Sequence, residues 1–421
     1  MIKEIRYIQD YSSLNRDFKV EIKDLKELRD WEFSKDLKLN HISKSFFSFI
    51  ALSNKKNNFL ISQNEIGMLA IFSKYSTKNF DEQYYLLQKK FEPGNDPISQ
   101  LSPAIQMTYS NLKGKHGGRI NNLNFIKHLS LKANFSTLQL EQSDSFLHKK
   151  NLNYFGHLEK NELPDFLKCI DLFWLSSREI IYFALEGNIL HADTRSVLFF
   201  VFFRELIKQQ LIEIENNDLN TLFSEFSLFA FKNQSPWTFK KMKDISVYRN
   251  GKIYLDDKKE YFDKRHILGV SVKSNSREIS TWDQPLLSIE SKALYLFVSK
   301  KEGEYYLLVS IGLAPGLFTE FEILPSFVEN YSEFKNFDYS KLMSKTKELH
   351  TSWQTEEGGR FYKRRNLHKI VFSEEMHSFE NKPNLFWIKL NEFYKFSFNT
   401  NFVSMELRSI GFLFFAHLLK K

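Results

Sequence analysis

Residues 140–153 read LEQSDSFLHKKNLN, and residues 355–368 read TEEGGRFYKRRNLH. Glu141, Phe146, Asn151 and Leu152 of the first stretch recur 215 positions later as Glu356, Phe361, Asn366 and Leu367 of the second. The echo continues downstream. FWLS from Phe173 answers FWIK from Phe386, and GNILHADTRSVLFF from Gly187 answers TNFVSMELRSIGFLFF from Thr400, matching Trp174 with Trp387 and Arg195 with Arg408 at an offset of 213. A fixed-period echo is the mark of a duplicated structural unit, and two copies make a tandem pair rather than a solenoid. At 421 residues the chain also exceeds the ~250–300 residues at which a single core stops growing, so two modules of roughly 200 residues, each burying its own core, are expected.

Residues 1–30 are polar and charged and read as an N-terminal extension, with the first module over 31–203. Residues 204–245 begin with helix-like apolar spacing and then become mixed, which reads as a connecting segment before a second module over 246–421. Within each module strand-like runs come first, as in SFFSFIAL (45–52), QYYLLQKKF (83–91) and EYYLLVSIGL (304–313). Helix-like runs follow, as in REIIYFALEG (178–187) and LNEFYKFSFNT (390–400), whose apolar residues recur at three and four. Strands and helices that mix within one module give an α+β or α/β class, of which α+β in two tandem modules is the expectation.

A hydrophobic fraction of 42% with 43 Phe excludes a disordered chain. The single cysteine, Cys169, excludes an intrachain disulfide and any multi-cysteine metal site. The N-terminus, MIKEIRYIQDYSS, carries charge throughout and has no secretory core, and the longest apolar stretches, 197–203 and 410–415, fall short of the ~18 residues of a membrane span. A cytoplasmic protein with no membrane partner is expected. The net charge of +8 is spread over short clusters at His148 to Lys150, Lys240 to Lys243 and Lys363 to Arg365. Without a basic arm there is no nucleic-acid signature, and the positive excess suits a small dianion such as a nucleotide diphosphate.

The densest run of hydrogen-bonding side chains is QKKFEPGNDPISQLSPAIQMTYSNLKGKHGG, from Gln88 to Gly118. Turn formers at Pro93, Gly94, Asn95 and Pro97 accompany the neutral donors Gln100, Ser102, Gln106, Thr108, Ser110 and Asn111. This run resembles a segment of the NDP-hexose 2,3-dehydratase family, close to EPGN, then QLSPTVQATRSNY, then HGG. Here the pattern is carried by Glu92 to Asn95, Gln100 to Pro103, Gln106, Thr108, Ser110-Asn111 and His116 to Gly118. Further matches are His41 with Ser45 to Phe47, then Gln63, Glu65 and Gly67, then Arg277-Glu278 with Trp282 and Gln284-Pro285, then Glu356 to Phe361. The resemblance spans about 31–415. It implies two Nudix-like modules, a homodimer, and a nucleotide-linked substrate, dTDP-linked by analogy.

The acidic box of a metal-dependent Nudix hydrolase is missing, because neither Arg178-Glu179 nor Arg277-Glu278 is followed by paired glutamates. No metal is therefore expected. The halves also depart unequally from the family pattern: Tyr109 stands where arginine is favoured, Ala314-Pro315-Gly316 replaces the EPG, and Val328 stands where the first half has Gln106. The losses at Tyr109 and Ala314 keep open a catalytically silent sugar-nucleotide-binding homologue.

The reaction that the resemblance implies is loss of water from a nucleotide-linked 4-keto-6-deoxyhexose. The C4 ketone acidifies the C3 proton, and the C2 hydroxyl lies β to that ketone, so the elimination needs no redox cofactor. Its first product is an enol, which tautomerises to a 3,4-diketo-2,6-dideoxy sugar. Such a site needs a base at C3, donors at O4 and an acid at the C2 oxygen. His116, Glu92, Lys90 and Glu356 are the candidate bases. Gln63, Glu65, Gln88, Asn95, Gln100, Ser102, Gln106, Thr108, Ser110 and Asn111 are expected to line the sugar site. Arg360, Lys363 and Arg364 are expected to pair with the diphosphate, and Trp282 with Gln284 to hold a base or sugar ring.

Overall fold

The computed structural model describes residues 18–44, 46–54, 56–63, 65–74, 79–112, 133–158, 172–213, 220–233, 237–256, 265–274, 279–317, 321–331, 345–376, 382–398 and 402–420. His116, Ser45, Cys169 and Arg277-Glu278 lie outside the described residues.

Each half builds a mixed sheet of seven strands, and both sheets have one strand order. In the first half it runs Ala133–Leu140, Lys150–Leu158, Gly67–Lys74, Tyr84–Phe91, Leu172–Ser176, with Ser99–Pro103 and Ile105–Thr108 added beside Tyr84–Phe91 and Gly67–Lys74. In the second it runs Thr346–Thr355, Arg365–Ser373, Lys292–Lys301, Glu304–Gly312, Leu385–Lys389, with Glu322–Pro325 and Phe327–Asn330 in the matching places. The registers agree as well. Trp174 lies opposite Leu86 and Trp387 opposite Leu308, while one parallel pair joins Leu152 to Met68 and its counterpart joins Leu367 to Ala293.

Five helices of eight or more residues are described: α1 (Ser177–Glu186), α2 (Ala192–Lys208), α3 (Asn220–Asn233), α4 (Leu390–Phe398) and α5 (Met405–Leu419). A capping box starts α1, with Ser176 Oγ accepting from the Glu179 amide at 3.3 Å and the Glu179 carboxylate accepting from the Ser176 amide at 2.7 Å. Both α2 and α5 are apolar on nearly every face, and such helices need cover all round. They find it by packing on each other between the two sheets, where the Phe203 and Phe415 rings sit 4.5 Å apart and Phe202 and Phe412 5.0 Å apart. One core therefore runs from Ile71 and Tyr85 of the first sheet through both helices to Leu296 and Val309 of the second. Two self-sufficient cores were the expectation; the shared helix layer replaces them.

The helix pair also carries a reciprocal polar seam. Arg195 on α2 donates to Thr355 O at 3.0 Å, and Arg408 on α5 donates to Leu140 O at 2.7 Å. Gln354 donates to Ala184 O at 3.1 Å, and Gln139 to Ser397 O at 3.4 Å. Equivalent residues making equivalent contacts in opposite senses describe a twofold relation between the repeats.

Two smaller sheets complete the fold and blur the expected boundaries. Lys19–Lys23, within the expected N-terminal extension, pairs with Arg265–Lys273 of the second half. Thr238–Lys240, within the expected connecting segment, pairs with Ser48–Asn54 of the first. The boundary placed at 203 falls inside α2, which continues to Lys208. Among the described residues no helix is long and apolar enough to cross a membrane.

Candidate functional site

Two loops cross between the halves. Gly94 donates its amide to Gly358 O at 2.7 Å and accepts from the Lys363 amide at 2.7 Å; Gly316 donates to Ser143 O at 2.8 Å and accepts from the His148 amide at 3.0 Å. Neither glycine can carry a side chain, because a Cβ on Gly94 would overlap the Phe361 carbonyl and a Cβ on Gly316 the Phe146 carbonyl. Each crossing brings a turn of one repeat against a loop of the other, and so makes one polar pocket. The first joins residues 90–106 and the start of α2 to the turn at 356–360. The second joins 312–328 and the start of α5 to the turn at 141–145.

In the first pocket Glu92 is buried and receives three donors. Lys90 Nζ lies 2.8 Å from Oε1, while His191 Nε2 at 2.9 Å and the Gly359 amide at 3.0 Å reach Oε2. Burial alone would raise this carboxyl, but the charges and hydrogen bonds of Lys90 and His191 hold it well below the usual range. His191 also caps α2: its Nδ1 accepts from the Asp193 amide at 3.1 Å in the neutral ring, whose proton then sits on Nε2, facing Glu92. Burial works against the charged ring, yet the Glu92 charge outweighs it and raises the pKa above the ordinary value.

Gln106 bridges the cluster, its Oε1 accepting from Lys90 Nζ at 2.6 Å and its Nε2 donating to Asp193 Oδ2 at 2.5 Å. Asp193 is fully enclosed, with Oδ1 lacking a hydrogen-bond partner among the described residues, and burial together with repulsion from Glu92 raises its carboxyl. Around the rim, Arg360 lies over the Phe47 ring at 4.1 Å and reaches Gln63 Oε1 at 3.4 Å. Lys149 Nζ donates to Glu65 O at 2.9 Å, and Glu65 accepts from the Ser110 amide at 3.0 Å and from its hydroxyl. Gln284 donates through Nε2 to Gly359 O at 2.8 Å and accepts through Oε1 from Trp282 Nε1 at 2.8 Å, placing the Trp282 ring beside the same turn.

Other expected lining residues hold the loop instead. Gln88 Nε2 donates to Pro103 O at 2.9 Å, and the buried Asn95 bridges Gln100 Oε1 and Glu356 O, both at 2.8 Å. Ser102 is fully buried. Thr108 and Asn111 bond to each other at 2.6 Å in an exposed turn. Three expectations from the second repeat change. Arg364 faces the second pocket, donating to Gln142 Oε1 at 2.8 Å and Ser145 Oγ at 3.1 Å. Lys363 is exposed and contributes its backbone amide through a turn at positive φ. Glu356 is sealed between the repeats, accepting from Asn366 Nδ2 at 2.7 Å and from Gln142 Nε2, with no open side for a substrate. Successive residues of one turn point to opposite pockets, which a linear pattern does not reveal.

The second pocket lacks the cluster. Gly312, Ala314, Val328 and Ser404 occupy the places of Lys90, Glu92, Gln106 and His191, and Ser404 caps α5 through an ordinary hydroxyl at 3.1 Å from the Leu407 amide. Lys292, which takes the register place of Gly67, reaches into the pocket to Asp144 and to Glu406 Oε1 at 3.4 Å. Beside it Glu322 accepts from Ser143 Oγ, and burial with the Glu406 charge raises its pKa to about 8. Among the described residues no group of three His, Cys, Asp or Glu is arranged to hold a metal ion.

His191, Asp193 and Gln106's bridging role were not singled out from the sequence. The available signal was the repeat itself, in which a histidine stands where the other copy has the preferred capping serine.

A family model described as NDP-hexose 2,3-dehydratase matches residues 3–201 and again 223–412. Similar curated proteins are dTDP-4-dehydro-6-deoxy-alpha-D-glucopyranose 2,3-dehydratases of Saccharopolyspora spinosa, Streptomyces violaceoruber and Amycolatopsis orientalis, each 25% identical. The aligned regions cover 91%, 83% and 83% of this chain and 85%, 81% and 74% of those proteins. Among solved structures, an ADP compounds hydrolase aligns at 10% identity over 34% of this chain and 77% of that one, with a TM-score of 0.21, too slight a likeness to carry an argument.

Proposed function

Because the chain belongs to the NDP-hexose 2,3-dehydratase family, we propose that it removes water across C2 and C3 of a nucleotide-linked 4-keto-6-deoxyhexose, giving a 3,4-diketo-2,6-dideoxy sugar nucleotide. By analogy with its relatives the nucleotide is dTDP. The same membership supports reading each repeat as a Nudix-like module.

The observation that carries this reading is the asymmetry between the pockets: an ordered Lys90–Glu92–His191 cluster stands in one and has no counterpart in the other. Lys90 spends two of its three donors on Glu92 and Gln106, and the third is left for the C4 ketone oxygen. A fixed ammonium at that oxygen lowers the cost of the enolate formed when C3 loses its proton. Glu92 keeps Lys90 in place, and His191 keeps Glu92 in place. Arg360, stacked on Phe47, suits a diphosphate at the rim, with Trp282 available to a ring beyond it.

The silent-homologue reading rests on the losses at Tyr109 and Ala314; Ala314 belongs to the second pocket, while Tyr109 stands in the first repeat. The test is turnover of dTDP-4-keto-6-deoxyglucose with a 3-ketoreductase present to trap the diketone. The expected product is lighter by one water before trapping, and Lys90→Met should lower the rate about 100-fold. A wild-type chain that binds dTDP but never consumes the substrate would sink the proposal in favour of the silent homologue.

A further inference from the structure

Five carboxyl groups gather around the first pocket among the described residues, and four are committed, Glu65 by accepting from Ser110. Glu92 is tied by three donors, Asp193 is enclosed behind Gln106, and Glu141 is buried and accepts from Asn151 Nδ2. Glu357 differs from all of them. It is half-buried, and its carboxylate has no hydrogen bond or ion pair among the described residues.

Its position is bounded by a missing side chain. A Cβ on Gly359 would lie 3.4 Å from Glu357 Oε1 and 3.4 Å from Glu92 Oε1, an ordinary contact distance to each, so the two carboxylates flank the same glycine. On the Glu92 side stands Lys90, the group assigned above to the C4 oxygen. A sugar lying against this glycine with its ketone toward Lys90 would turn its C3 edge toward Glu357. The repeat supplies a control, because Gln142 holds the equivalent place in the second pocket. Its amide is fully used, accepting from Arg364 Nη1 at 2.8 Å and donating to Glu356. A structural amide in one copy corresponds to an unengaged carboxylate in the other.

We propose that Glu357 is the base that takes the C3 proton, an assignment that rests on the dehydratase reading. The C3–H electron pair moves to the C4 oxygen as enolate, held by Lys90. The enolate then collapses to the C2–C3 double bond as the C2–O bond breaks. In a gluco-configured ring the C3 hydrogen and the C2 oxygen lie on one face, so the carboxyl returns the same proton to the departing oxygen; water leaves and the carboxylate is regenerated. Burial, and the charges of Asp193 and Glu92 against that of Arg360, raise the proton affinity of Glu357 above that of an ordinary carboxylate, as a base for a weak carbon acid requires.

The test is Glu357→Gln on the full chain, with substrate deuterated at C3 and release of the label to water as the readout. Turnover and label release should both fall by about 100-fold or more, while dTDP affinity and the thermal midpoint stay near wild type. Glu357→Asp should recover part of the rate. The wild-type kcat/KM should rise with pH through a group titrating above the usual carboxylate range, and that limb should vanish in Glu357→Gln. Label release by Glu357→Gln within about tenfold of wild type would overturn the assignment and leave the dehydratase reading standing. Absence of label release from the wild-type chain would overturn both.

Discussion

Arg195 and Arg408 exchange partners across the seam between the repeats: Arg195 Nε donates to Ser409 Oγ at 2.7 Å, and Arg408 Nε donates to Ser196 Oγ at 2.9 Å. Each guanidinium also serves the carbonyl just before its own helix, at Leu190 and Val403 respectively, and a carbonyl of the opposite repeat. Replacing either by alanine removes donors from buried oxygens that water cannot reach, so a loss of about 3–5 kcal/mol is expected from each. Chemical denaturation would measure it, and because the arginines share one seam the double variant should lose less than the two single losses added together.

Glu92→Gln should destabilise the fold, contrary to what a surface loop position would suggest, because it leaves Lys90 and His191 facing a buried neutral amide. The expected cost is about 3 kcal/mol at neutral pH. The folded-state pKa of Glu92 is depressed, so its contribution is present above the ordinary carboxylate range and is lost as pH falls through the depressed value. The gap between wild type and variant should therefore close in acid, as thermal scans at several pH values would show.

His191→Ser copies the residue of the second repeat. A serine can still cap α2, so stability should stay closer to wild type than in His191→Ala, where loss of the cap costs about 1 kcal/mol. The donor to Glu92 is lost in both variants. Turnover should fall in both while only the alanine variant loses the cap, a contrast that paired stability and rate measurements would read directly.

Glu322 offers the opposite pH sign. Its pKa is raised to about 8, so the folded state holds a proton that the unfolded chain has already released above its ordinary value. Stability from this group is complete below about pH 4.5 and is lost as pH rises through about 8. Glu322→Gln should thus gain on wild type in mildly alkaline solution relative to mildly acidic solution, with turnover little changed because the residue lies in the second pocket.

The duplication, the strands at 83–91 and 304–313, and the loop Glu92 to Asn95 with the turn Glu356 to Phe361 are legible in the sequence because repetition, alternation and Pro-Gly spacing are local signals. Direction is not. Glu356 and Glu357 are neighbours, yet one is sealed between the repeats and the other faces the first pocket; Arg360 and Arg364 divide in the same way. His191 escaped notice because histidine is not among the preferred capping residues, and its value comes from a contact with Glu92, far away along the chain. The shared core was equally hidden: each of α2 and α5 reads as a buried helix, but only the assembled fold shows that they bury each other.

The crossings at Gly94 and Gly316 mean that neither repeat owns a pocket. A single copy would supply the loop of one and the turn of another, and would complete a cavity only beside a second copy. In a pair of identical polypeptides any substitution is inherited by both cavities at once. Once the copies share one reading frame that constraint disappears, and Lys292, Ala314, Val328 and Ser404 mark the difference it allows: one site is bridged by Lys292, while the other carries the Lys90–Glu92–His191 cluster.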